Sequence, residues 1–137
     1  MENRNIEQKK EMKLYGIAFW LLAAVDVCHI TIGTLYSAGN EVMLITLMTY
    51  KAATALLKVY LGARIIRQVK SNETAVKIRP QFLRVVLGAF AISLLLDIFY
   101  CFLVSDLVYG LIEVCNSSIA FIPLLGCRRN TEYEGWL

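Results

Sequence analysis

Four apolar blocks dominate the chain, at Tyr15–Tyr36, Val42–Ala63, Val85–Val104 and Leu107–Gly126, and they are 22, 22, 20 and 20 residues long. None alternates apolar and polar positions with the period of two that a half-buried strand requires. At ~1.5 Å rise per residue, about 20 apolar residues cross a ~30 Å hydrocarbon layer. A bilayer core offers no water to unpaired backbone groups, so spanning segments are helices or closed barrels. The pattern predicts an all-α, polytopic integral membrane protein, a four-helix transmembrane bundle forming a single domain over residues 1–137.

The intervening segments have their own grammar. Gly39-Asn40 and Ser105-Asp106 read as tight turns between blocks one and two and between three and four, with Ser105-Asp106 also able to cap helix four. Arg64–Lys70 still reads as helix, Ser71-Asn72 as a break, and Pro80 as the first turn of helix three. Asp26 at the centre of the first block, with no small-residue cleavage motif after it, argues against a cleaved signal peptide.

Charge sets an expected orientation. Of the 14 lysines and arginines, twelve lie in the N-terminal tail (Arg4, Lys9, Lys10, Lys13), the segment Arg64–Arg84, and the C-terminal pair Arg128-Arg129. The two short links carry none. The positive-inside rule then predicts both termini and the loop 64–84 in the cytoplasm, with the plasma membrane as location and anionic lipids as partners of the basic face. These basic residues are accounted for by orientation and lipid, so no nucleic acid is implied. At 58% hydrophobic and 18% charged residues over 137 positions, disorder is excluded.

The polar residues inside the blocks are not scattered. Helix one has Asp26, His29 and Gly33; helix two Lys51, Ala55, Lys58 and Gly62; helix three Ala89, Ser93, Asp97 and Cys101; helix four Tyr109, Glu113, Asn116 and Ala120. Spacings of three and four place each set on one helix face. Small residues allow close helix approach and polar ones bond across it, so these four stripes are expected to face inward. Counting ~1.5 Å per residue from the cytoplasmic ends, Asp26, His29, Lys51, Asp97, Glu113 and Asn116 fall in one layer near the midplane.

Such a layer is expensive. A lysine or carboxylate at a helix centre costs about 2.5–3.5 kcal/mol on the insertion scale, so intramembrane ionisable residues are functional hypotheses by default. The plainer reading is an ion-paired network that fixes helix register. Three carboxylates against Lys51 leave the layer at −2 with His29 neutral. That excess is met by protonation, by a bound cation, or by basic residues of a partner. Lys58 lies nearer the cytoplasmic edge and is expected to snorkel to the headgroups.

Other chemistry is faint. His29 is the only histidine, and a lone histidine beside Asp26 reads as a hydrogen-bonded interior residue before it reads as a metal ligand. Cys28, Cys101, Cys115 and Cys127 form no C-x-x-C pair and read as small apolar fillers, except Cys127, a possible but less expected palmitoylation site beside Arg128. No P-loop, H-E-x-x-H or G-x-S-x-G motif occurs, so no catalytic residue or cofactor is assigned. Trp20 is expected to pack against a neighbour or lipid, and Trp136 with Tyr133 to lie on the headgroups or in a docking peptide, Glu132–Leu137.

The expected function is transport or conduction of a proton, a cation or a cationic solute by a homo-oligomer. Asp26, Asp97 and Glu113 would bind the cargo with His29 and Asn116 beside them, and Lys51 would act as counter-ion. The alternative is an accessory, effector or immunity subunit that joins another membrane protein through its intramembrane charges. A lipid-modifying enzyme would need its polar residues at headgroup depth, where few of them lie.

Overall fold

A computed structural model of the chain describes residues 2–36, 41–71, 78–103 and 107–129. The expected turns at Gly39-Asn40 and Ser105-Asp106, the position Asn72, and the tail peptide with Tyr133 and Trp136 lie outside them, as do the surroundings of Gly33 and the side chains of Tyr109, Arg128 and Arg129. The described residues form five helices and no strand: α1 Glu2–Tyr36, α2 Glu41–Lys70, α3 Pro80–Leu103, α4 Leu107–Ile119 and α5 Phe121–Arg129.

Among the described residues, three segments are long and apolar enough to cross a bilayer: Asn3–Ile32, Pro80–Phe102 and Gly110–Cys127. Helix α2, with Lys51 and Lys58 at its middle, is not among them. Outward-facing Leu14, Leu21, Leu56, Val85, Leu95 and Phe102 give the bundle an apolar exterior. Such a surface suits hydrocarbon, since soluble monomers rarely expose large contiguous apolar patches.

Two helix boundaries differ from the hydrophobic blocks. Helix α1 begins at Glu2, so the basic segment ahead of the first block is helical too, and Met12 within it is fully buried. The fourth block is two helices, interrupted at Ala120. Pro123 explains the break: it has no N–H to donate, and its ring crowds the carbonyl four residues back, at Ile119, where α4 ends. The other boundaries follow their local chemistry. Pro80 opens α3. Ser71 closes α2, its N–H reaching the Arg67 and Gln68 carbonyls at 3.1 Å and its hydroxyl donating to the Gln68 carbonyl at 2.9 Å.

The bundle is built from two helix pairs. Helix α1 lies along α2 and α3 along α4, whereas α1 and α4 meet only sparingly. The α1–α2 contact is close because glycines line it. A Cβ on Gly62 would stand 2.5 Å from Trp20 Cδ1 and 2.8 Å from the Gly16 carbonyl oxygen. Trp20 lies in that gap and donates its indole N–H to the Val59 carbonyl at 3.2 Å, so it packs against a neighbouring helix.

The apolar core occupies one end of the bundle, where Met12, Phe19, Leu61, Ile65, Ile78, Val86, Leu124 and Cys127 converge. Phe90 lies edge-on to both Phe19 and Phe121, with centroids 6.5 and 6.3 Å away. Cys127 is buried in this cluster, which favours the unmodified thiol. Cys28 and Cys115, expected as fillers, are instead exposed on the outer surface. Their places on α1 and α4 fall outside the inward stripes.

Candidate functional site: a buried charge network

Next to the aromatic cluster the inward stripes change from apolar to charged. The structure brings all six expected residues together, with Asp26 1%, Glu113 2% and Asp97 5% exposed, and His29, Lys51 and Asn116 buried beside them. One helical face per element puts them there: Asp26 and His29 from α1, Lys51 from α2, Asp97 from α3, Glu113 and Asn116 from α4.

Their bonds fall into two connected parts. Lys51 is paired with Glu113 and stands 3.4 Å from Asp97. The other Glu113 oxygen lies 3.1 Å from His29 Nδ1, close enough for attraction but without the alignment of a hydrogen bond. Ser117 donates its hydroxyl to Asp97. In the second part, Lys58 donates to one oxygen of Asp26 and Asn116 donates its amide N–H to the other, at 2.8 Å.

Lys58 corrects the sequence expectation. It does not snorkel; it is 3% exposed, paired with Asp26, and its ammonium lies 5.6 Å from the Phe90 ring centroid. A lysine stem can carry its charge toward the headgroups or toward the interior, and a buried carboxylate with an aromatic face beside it makes the interior the better choice. The charge balance changes with it. Three carboxylates face two ammoniums, so the formal count of the network is one surplus negative charge with His29 neutral, rather than two.

Ser117 and Thr54 are buried here as well. Thr54 caps the Lys51 carbonyl at 2.9 Å. Ser117 sits four residues after Glu113, on the same helix face, which is the signal that could have found it. Among the described residues, no group of three or more His, Cys, Asp and Glu side chains could hold a metal ion.

The polar contacts sort by helix pair. Lys58–Asp26 stays within α1–α2, and Ser117–Asp97 within α3–α4. Lys51–Asp97, Lys51–Glu113, His29–Glu113 and Asn116–Asp26 cross between the pairs.

Beside the network a groove of about 440 Å³ runs between α1 and α4, with Val25, Leu111, Ile112 and Ile119 among its walls and His29 and Asn116 contributing polar lining. No family model matches this chain, and comparison with curated proteins and with solved structures finds no match either.

Proposed function

We propose that the chain is a four-span membrane protein, with both termini cytoplasmic, that moves a proton or a cationic solute across the plasma membrane through its central charge network. The supporting observation is the burial of Asp26, Asp97, Glu113, Lys51, Lys58 and His29, from four helices, in two neighbouring groups whose formal charges leave one negative in surplus. A register-fixing network gains nothing from an unmatched buried charge. A carrier needs one, because the cargo completes it. Glu113 is the centre of this reading: it touches both Lys51 and His29, so a change in its occupancy is felt on two helices at once. A narrow four-helix bundle leaves little room for a continuous pore, which supports a homo-oligomer as the working form.

Helix α2 is the fourth span in this reading. Its two lysines lower its hydropathy, but both are matched by carboxylates inside the bundle, which offsets much of the cost of placing them in hydrocarbon. In the accessory-subunit reading the same surplus charge, left where Asp97 and Glu113 share Lys51, would be met by a basic residue of the partner.

The test is uptake. Purified protein in liposomes with an internal pH dye should acidify the lumen under an imposed proton gradient, or take up an organic cation, and Glu113→Gln should abolish the flux while the bundle stays folded. Flux unchanged in Glu113→Gln and in Asp26→Asn, with raised thermal stability in both, would overturn the reading in favour of the subunit.

A further inference from the structure

The network lacks one positive charge, and the α1–α4 groove leads to two of its members. His29 and Asn116 contribute to the groove lining, and each stands at a carboxylate: His29 Nδ1 lies 3.1 Å from Glu113, and Asn116 donates to Asp26 at 2.8 Å. The remaining walls are apolar, from Val25 on α1 to Val108, Leu111, Ile112 and Ile119 on α4. The groove, of about 440 Å³, is open to the outside of the bundle, and its lining is apolar with a few placed polar groups, the composition typical of small-molecule sites.

We propose that this groove binds an amphiphilic amine, its hydrocarbon body along Val25, Leu111, Ile112 and Ile119 and its ammonium toward His29 and Asn116, where it supplies the missing positive charge. The inference rests on reading the network as a cation-carrying site and names the class of cargo. A bare proton could balance the charge but gives no use to an apolar trough. A fatty acid would fill the trough but add a second surplus negative charge. An amine with a hydrocarbon tail satisfies both features. The amide of Asn116 has a carbonyl oxygen besides the N–H given to Asp26, and an ammonium is a three-donor group that such an oxygen can accept from. The sparse α1–α4 contact makes this seam the easiest for a bilayer-dissolved molecule to enter sideways.

The experiment uses three photoreactive probes of one chain length, a diazirine-bearing dodecylamine, dodecanol and dodecanoate, on the full chain in phosphatidylcholine vesicles. Labelled peptides are mapped by mass spectrometry. The amine should concentrate its label on Val25 and the Leu111–Ile119 stretch, about tenfold above dodecanol, a ratio that corresponds to ~1.4 kcal/mol. Two variants should each reduce that preference to the level of dodecanol: Val25→Phe, which fills the groove and leaves every charge, and Glu113→Gln, which removes the surplus charge. Val25→Phe keeps the test decisive should Glu113→Gln fail to fold. Equal, scattered labelling by all three probes overturns the proposal, as does a preference that survives Val25→Phe. Loss of amine selectivity alongside intact Glu113-dependent proton flux sinks the amine and leaves transport standing. Selective amine labelling with no flux of any cation does the reverse.

Discussion

Lys58 donates to Asp26 across the α1–α2 interface, and both are almost fully buried, at 3% and 1% exposure. Removing one partner of such a pair strands a charge in apolar surroundings. Lys58→Met should therefore destabilise the bundle by about 3–5 kcal/mol, read as a lowered unfolding midpoint in mild detergent. Adding Asp26→Asn should recover much of that loss, since both charges are then gone. A Lys58→Met protein as stable as the parent would return Lys58 to the headgroup region.

Lys51 touches Glu113 and Asp97 together, so its removal leaves two carboxylates facing one another. In a double-mutant cycle of Lys51→Met with Glu113→Gln, the coupling should be about 1–3 kcal/mol. A coupling near zero in thermal unfolding would mean that the pair is not formed in the folded protein.

Two glycines should behave oppositely. A Cβ on Gly62 meets Trp20 and the Gly16 backbone at under 3 Å, whereas one on Gly88 meets nothing within 4 Å. Gly62→Ala should part α1 from α2 and lower the midpoint; overpacking of this kind costs about 1–3 kcal/mol. Gly88→Ala should raise the midpoint, stabilising the bundle by about 0.5–1 kcal/mol through helix propensity alone. The same sign of shift for both would contradict the close α1–α2 packing.

For the four-span topology, cysteines introduced at Ser37 and at Ser71 should report opposite sides. A membrane-impermeant maleimide should label the first in intact cells and the second only after permeabilisation. Native Cys127, buried in the core, should stay unlabelled until the protein is denatured. Labelling of both introduced sites from one side would exclude a span between them.

Much of this arrangement was legible in the chain because helical spacing is a strong signal. Asp26 with His29, Asp97 four residues after Ser93, and Glu113 with Asn116 mark their inward faces directly, and the structure buries each of them. What was not legible has physical reasons. Lys58 shares the stripe of Lys51, but its flexible stem leaves the position of its charge undetermined by the position of its Cα. The break at Ala120 hides in an unbroken apolar run, and only Pro123 betrays it. The helical start at Glu2 carries no hydropathy signal, since Arg4, Lys9 and Lys10 would look the same in a coil. The groove could not be read at all, because it depends on how two helix pairs are set against each other.

That setting has a mechanical side. The sparsest helix contact in the bundle, between α1 and α4, is bridged by His29 with Glu113 and by Asn116 with Asp26, while Lys51 ties the same two halves together from α2. The halves are thus fastened in two different ways: by apolar packing at one end, where Phe19 meets Phe90 and Phe90 meets Phe121, and by charge next to it. Only the second fastening answers to protonation, so the bundle has one end whose hold depends on pH and one whose hold does not.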